Sequence, residues 1–152
     1  MSAEARLAEL GLELPPAPRP QGLYRPVVVT GNIAYVSGHG PMLPDRSFVT
    51  GRVGSELDQQ AAYEAARLTG LAILATLRAE LGSLDRVRRV IKVLGMVNCT
   101  PEFDQQPAVI NGCSQLFADV FGPEAGTGAR SAVGVASLPM GIPVEIEAVF
   151  EL

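Results

Sequence analysis

The last nine residues of the chain alternate between an apolar face and a mostly acidic one, and this pattern constrains the fold more than any other feature. The apolar positions are Val144, Ile146, Ala148, Phe150 and Leu152, and the acidic positions are Glu145, Glu147 and Glu151. Successive side chains of a β-strand point to opposite faces, so the segment predicts a strand with one face on a hydrophobic core. The fold must therefore contain a sheet that packs against another layer.

A long helical pattern can supply that second layer. Apolar residues recur every three or four positions from Leu57 to Leu81, and many of them are alanine. Ser55 and Asp58 form an S-x-x-D capping signature, which predicts that the helix begins there, and Gly82 is a natural stop. The small residues on the apolar stripe predict close packing against the sheet.

The remaining segments complete the order of elements. The predicted strands are residues 24–30, 33–38, 87–97, 130–138 and 144–152, and the predicted helices are 55–81 and 107–121. Residues 1–20 precede them as a short helix and a Pro-rich arm. The order β-β-α-β-α-β-β predicts one α+β domain over residues 1–152, with a mixed β-sheet and two helices packed on one face.

The other face of such a sheet has no cover within the chain. The strands carry more Val and Ile than a solvated surface would. We therefore predict a homo-oligomer that buries the sheet face or the strand edges.

Charge and residue types exclude several classes of function. The net charge of −4 argues against nucleic-acid binding, because that affinity rests on clustered Lys and Arg. The one basic cluster, Arg86, Arg88, Arg89 and Lys92, would be divided between two faces of a strand and is interpreted as solvated surface. The chain of 152 residues has no stretch long and apolar enough to span a membrane and no signal-peptide pattern, so we expect a cytoplasmic protein.

Cys99, Cys113 and the single histidine His39 do not have metal-ligand spacing. A structural zinc site needs four ligands, so we expect no metal and no other cofactor. Neither cysteine has a base at fixed spacing, and both are predicted to be reduced and buried.

Four separated blocks resemble the Rid (reactive intermediate deaminase), or YjgF-type, family. Gly128–Pro139 reads G-A-R-S-A-V-G-V-A-S-L-P, and Val144–Ala148 follows as V-E-I-E-A. Upstream, Ala34–Pro41 resembles the family's strand ending in S-G-x-x-P, and Gly82–Val87 resembles its turn after the long helix. The resemblance runs from about Tyr24 to the end and indicates a subgroup with longer loops.

This resemblance implies a chorismate-mutase-like fold, assembled as a homotrimer with small-molecule pockets at the subunit interfaces. The implied activity is hydrolysis of reactive 2-imino or enamine acids to 2-keto acids and ammonia, with a small carboxylate as substrate. Two alternatives stay open because fold membership does not decide activity: a non-catalytic protein that binds or senses small carboxylates, and an endoribonuclease.

The resemblance also implies two catalytic residues. Arg130 matches the arginine that grips the substrate carboxylate through paired hydrogen bonds. Glu145 matches the acid that positions water, and Glu147 on the same face could serve instead. The structural alternatives are a salt bridge from Arg130 to Glu145 or Glu151, and a surface role for Glu145.

The predicted substrate-binding residues are Tyr24, Ser37, Gly38, His39, Asn111 and Ala132. Gly38 would offer a backbone N–H, and Ala132, where the deaminases often have Cys, would act through its backbone. His39 has no counterpart in the family pattern and either shapes the pocket or is a loop histidine. Tyr24 could be an ordinary half-buried strand residue, and Asn111 a local polar contact at the beginning of its helix.

The last two strands could form a simple hairpin about Met140-Gly141. Arg130 would then lie opposite Glu151, and Glu145 would be roughly 20 Å away at the usual strand rise. The two catalytic residues could then meet only across a subunit interface, unless the hairpin contains a bulge or the strands pair differently.

Overall fold

The computed structural model describes all 152 residues and contains three α-helices and five strands. The helices are α1 (Ala3–Glu9), α2 (Gln59–Leu81) and α3 (Gln106–Phe121). The strands are β1 (Val27–Thr30), β2 (Ile33–His39), β3 (Arg89–Asn98), β4 (Ala129–Val135) and β5 (Val144–Glu151). The predicted order β-β-α-β-α-β-β is confirmed, and α1 lies inside the short helix predicted near the beginning of the chain.

The five strands form one mixed sheet in the order β1-β2-β5-β3-β4. Strands β3 and β4 are parallel, with α3 as the crossover between them, and the other neighbours are antiparallel. The simple hairpin between the last two strands is wrong, because β4 pairs with β3 and the chain crosses through a turn at Pro139–Gly141 to place β5 between β2 and β3. This central position lets β5 bury its whole apolar face.

The predicted alternation of β5 is confirmed. Val144, Ile146 and Phe150 are fully buried, whereas the glutamates between them face the opposite side of the sheet. The Phe150 ring packs edge-on against Phe117 of α3, with 5.6 Å between the ring centroids. The core therefore lies between the sheet and the two long helices, and the glutamates lie on the outer face, which we define as the face opposite the helices.

The N-cap of helix α2 lies three residues later than the Ser55 signature predicts. Asp58 is the N-cap, and its carboxylate accepts a hydrogen bond of 2.8 Å from the Ala61 N–H. Ser55 belongs to a preceding turn that is closed by a 2.8 Å bond from the Gly54 N–H to the Leu57 carbonyl. At the other end, Gly82 adopts the left-handed conformation (φ 87°) and stops the helix as predicted.

The small residues of α2 and α3 allow the two helices to approach closely. A Cβ atom at Gly112 would lie 2.1 Å from the Tyr63 carbonyl oxygen, and one at Gly70 would lie 2.9 Å from the Leu116 side chain. The small stripe of α2 therefore packs on α3 as well as on the sheet.

The segment before the sheet is anchored at one end and extended at the other. Helix α1 buries Leu7, and its Glu4 carboxylate pairs with Arg78 and accepts a 2.9 Å bond from the Leu84 N–H. Residues 12–20 then run without regular structure towards one end of the sheet. We call residues 12–26 the arm.

Several large apolar side chains on the outer face are exposed in the single chain. Val28 and Tyr35 are register partners on β1 and β2, and Val133 lies on β4. Their exposure agrees with a surface that another copy would cover, and the oligomer itself stays a prediction.

No helix is long and apolar enough to cross a membrane.

Candidate functional site

Arg130 on β4 points to the helix side of the sheet and is held there by two neutral oxygens. Its Nη1 donates to Asn111 Oδ1 at 2.8 Å and to Ser114 Oγ at 3.1 Å. No carboxylate lies within salt-bridge distance of Arg130, so the predicted alternative of a salt bridge is wrong. Glu151 instead pairs with Arg89, with 2.6 Å between Nε and Oε2.

The remaining donors of Arg130 form a free edge. A guanidinium has five N–H groups, and the two on Nη1 are taken by α3. The hydrogens on Nε and Nη2 lie side by side and match the two oxygens of a carboxylate. The helix therefore orients Arg130 without neutralising it.

We call Arg130, Asn111, Ser114 and Ala132 the arginine cluster. Ala132 lies two residues after Arg130 on the same side of β4. Asn111 lies within α3 and not at its beginning, and its local polar contact is the one that holds Arg130. Ser114 was not among the predicted site residues, although its spacing of three from Asn111 places both on one helix face.

Glu145 lies at the other candidate site, a cleft of about 770 Å³ at the outer face of the sheet. The arm forms one wall, the loop before α2 forms another, and the turn at Pro139–Gly141 closes the end. Tyr24, Ser37, Gly38 and Glu147 also line it. We call this space the glutamate cleft.

The Glu145 carboxyl group lies directly over Gly38. A Cβ atom at Gly38 would lie 3.0 Å from Cδ and 3.1 Å from Oε2 of Glu145, so a larger residue there would shift this carboxyl group by a few tenths of an ångström. No cation lies within salt-bridge distance of it. Burial raises the pKa of Glu145 above its usual range, and repulsion from Glu147 raises it further. An unpaired carboxyl group of this kind is suited to exchange protons with water.

A β-bulge in β2 presents Ser37 and Gly38 to the cleft. Val36 pairs with Ala148 and His39 with Ile146, so two residues of β2 oppose the single residue Glu147. Gly38 thus has no register partner, which fits the predicted backbone contact with a ligand. The Ser37 hydroxyl donates to the Arg25 carbonyl at 2.6 Å and ties the bulge to the arm.

The His39 side chain points away from the cleft and into the core, and only its backbone can contact a ligand. Its Nδ1 lies 2.6 Å from the Ser37 carbonyl, which can only accept, so Nδ1 carries the hydrogen and Nε2 accepts from the Thr76 hydroxyl at 2.7 Å. Burial lowers the pKa of His39 and favours this neutral form. His39 is the last residue of β2, not a loop histidine, and it fastens the bulged strand to α2.

Tyr24 lies before β1 and not within it. Its hydroxyl accepts a 3.1 Å hydrogen bond from the Gln21 N–H, which folds the arm back at the edge of the cleft.

The two cysteines are free and buried, as predicted, and burial raises the pKa of the Cys113 thiol. No group of three or more His, Cys, Asp or Glu side chains is placed to hold a metal ion.

The predicted site residues thus form two clusters on opposite faces of one sheet. Val93 of β3 is the register partner of both Arg130 and Ala148, and Glu145 lies three residues along β5 from Ala148. Two strand spacings and three residue rises separate the Cα atoms of Arg130 and Glu145 by roughly 14 Å. A small ligand cannot contact both side chains of one chain. A shared site would need a second copy.

Comparison with known proteins supplies the family context. The profile of a family described as "YjgF/chorismate_mutase-like, putative endoribonuclease" matches residues 4–145, which includes most of α1 and the whole arm. Protein TCP17 of Trypanosoma cruzi is 43% identical over 148 residues, covering 97% of this chain and 92% of its own length. The crystal structure of protein Atu1372 from Agrobacterium tumefaciens, of unknown function, is 46% identical with a TM-score of 0.88, covering 99% of this chain and 92% of that chain.

A third relative has a named activity. The 2-iminobutanoate/2-iminopropanoate deaminase of Dermatophagoides farinae is 30% identical over 139 residues, covering 91% of this chain and 92% of its own length. The family match extends nearer to the amino terminus than the motifs from Tyr24 onward indicated.

Proposed function

This chain belongs to the YjgF/chorismate mutase-like family, and from that premise we propose that it hydrolyses reactive 2-imino acids, or their enamine tautomers, to 2-keto acids and ammonia. The observation that carries the proposal is Glu145, an unpaired carboxyl group with a raised pKa that faces a cleft and lies over a glycine. The free edge of Arg130 supplies the complementary group for the substrate carboxylate.

In the proposed reaction, Nε and Nη2 of Arg130 from one copy bind the substrate carboxylate. The imine carbon then lies beside Glu145 of a second copy. Glu145 takes a proton from water as the water oxygen bonds to that carbon, and it returns the proton to the nitrogen. The C–N bond breaks, the departing ammonia takes the proton of the hydroxyl group as the ketone forms, and iminium and water thus give a 2-keto acid and ammonium.

The assembly that this reaction needs is proposed to be a homotrimer, as the resemblance implies. The exposed Val28, Tyr35 and Val133 are the apolar surface on which copies would pack. Each interface would bring the arginine cluster of one copy to the glutamate cleft of the next. A cyclic assembly repeats one interface, so every copy would give its arginine cluster to one site and its glutamate cleft to another, equivalent site.

Binding without catalysis is the second candidate, because the free edge of Arg130 would by itself suffice to hold a carboxylate. RNA cleavage has less support: the chain has a net charge of −4, and its one histidine is buried and bonded to Thr76. Catalysis needs the proton exchange at Glu145, whereas binding does not.

The test is a coupled assay in which an amino-acid oxidase generates the imine and semicarbazide competes for it. We expect wild type and the exposed control Arg88→Ala to accelerate keto-acid formation. Arg130→Ala and Glu145→Gln should each lower kcat/KM by at least about a hundredfold. If wild type matches the reaction without enzyme for every imine, the proposed hydrolysis is excluded. If Glu145→Gln keeps full activity, Glu145 is not the proton acceptor.

A further inference from the structure

Two arginines that the reaction does not use line the glutamate cleft. Arg19 lies on the arm, and Arg46 lies on the loop between β2 and α2. Both are exposed, and neither takes part in a salt bridge. The acidic residues of the cleft, Glu145 and Glu147, lie on the strand that forms its floor. The cleft therefore has an acidic floor and two unpaired cations on its walls.

The backbone at Arg46 is held in a conformation that does not suit arginine. Residues 43–47 form a tight turn in which Leu43 donates to the Ser47 carbonyl at 2.7 Å and the Arg46 N–H donates to the Leu43 carbonyl at 2.9 Å. The φ angle of Arg46 is 69°, in the left-handed region where glycine or asparagine is usual. Arginine therefore carries a backbone cost at this position that glycine would not.

A second strained residue lies at the same cleft. Met140 (φ 60°) is the only other residue besides glycine with a positive φ, and it too lines the cleft. Met140 is more than half exposed, at 54%. Such backbone strain concentrates at ligand-binding sites, so its occurrence on two walls of one cleft points to a ligand that extends to both.

We propose that Arg46 and Arg19 form a second anion subsite, and that the preferred substrates are 2-imino acids whose side chain ends in a second carboxylate. This inference rests on the proposed function and adds the substrate class. Arg130 of the neighbouring copy binds the carboxylate next to the imine, Arg46 and Arg19 bind the distal one, and Met140 contacts the carbons between them. A distal carboxylate on the floor would meet Glu147, so the walls are where a dianion gains attraction.

The test compares imines made by an oxidase specific for acidic amino acids with imines made from uncharged amino acids. The measured quantity is the ratio of kcat/KM for the acidic imine to that for the uncharged one. We expect wild type to favour the acidic imine and Arg46→Gly to lower the ratio by about tenfold, the effect of losing one charge-assisted hydrogen bond. Arg19→Ala should lower it less, and Arg88→Ala should leave it unchanged. An unchanged ratio in Arg46→Gly overturns the subsite.

A binding measurement separates this inference from the proposed function. Calorimetry with 2-oxoglutarate and 2-oxobutyrate, a dicarboxylate and a monocarboxylate, needs no turnover. Tighter binding of 2-oxoglutarate that is lost in Arg46→Gly supports the subsite even if no imine is hydrolysed. Equal binding of both probes overturns it even if hydrolysis is found. Glycine suits the left-handed turn, so Arg46→Gly should melt no lower than wild type, and misfolding cannot explain a loss.

Discussion

Glu145 has both a proposed chemical role and a cost to the folded protein. Burial and the neighbouring Glu147 raise its pKa, so the folded state holds this proton more tightly than the unfolded chain does. A raised carboxyl pKa means that the contribution of Glu145 to stability is fully present below the ordinary pKa of glutamate and is lost as the pH rises through the raised value. Above that value the ionised form needed as a base predominates, and this contribution to stability is absent.

Glu145→Gln tests this cost directly. At pH 7 the variant should melt at least as high as wild type, because the amide avoids the half-buried charge. This difference in melting temperature should shrink as the pH falls towards 4, where the Glu145 carboxyl group of wild type is protonated and is also uncharged. Thermal melts across this pH range measure it, with Glu80→Gln as a control at an exposed carboxylate. If the difference in melting temperature between Glu145→Gln and wild type grows at low pH, the buried charge of Glu145 is not what lowers stability.

Single residues also show where prediction from sequence succeeded and where it ended. The i, i+2 spacing of Glu145 and Glu147 placed both correctly on one face, because alternation is local. The partners of Arg130 were not predictable in the same way, because the contact with Ser114 depends on how α3 lies over β4. His39 was assigned to the pocket because of its position, whereas its ring turns inward to Thr76.

Among the elements, the bulge of β2 is the one that creates the cleft geometry. It sets Gly38 beneath the Glu145 carboxyl group, and His39 fastens the far end of the bulge to α2. The glycine is needed here for space, since its φ is not in the left-handed region.

Gly38→Ala should therefore fold but displace the carboxyl group of Glu145. A base moved by a few tenths of an ångström should cost up to about tenfold in kcat/KM, less than the roughly hundredfold of a full ångström. The same substitution made in Glu145→Gln should have little further effect, because the group that it displaces is already inactive. Steady-state kinetics on the four proteins measure the coupling. Fully additive losses would show that Gly38 acts independently of Glu145.

The elements themselves were mostly readable from sequence, and their pairing was not. Local patterns located both long helices and all five strands to within a few residues. The start of α2 was misplaced, because Ser55 and Asp58 are both good caps and the choice depends on the turn that Gly54 closes. The separation of β4 from β5 by β3 could not be read from the sequence, because sheet order is set by contacts between distant residues.

In the whole molecule, each chain carries two incomplete parts of the proposed site. The arginine cluster lies on the helix side of the sheet, and the glutamate cleft lies on the outer side, with roughly 14 Å between the Cα atoms of Arg130 and Glu145. We therefore propose that neighbouring copies complete one another's sites. This completion depends on the assembly and not on which imine is the best substrate.

A mixture of two inactive variants would show whether the site is shared between copies. Arg130→Ala and Glu145→Gln would be unfolded together in equal amounts, refolded together and assayed for imine hydrolysis. Half of the copies keep Arg130 and half keep Glu145, so about a quarter of the interfaces should regain both groups and about a quarter of wild-type activity should return. Each variant refolded alone is the control and should stay inactive. Refolded mixtures that assemble normally yet regain no activity would contradict a site shared between copies.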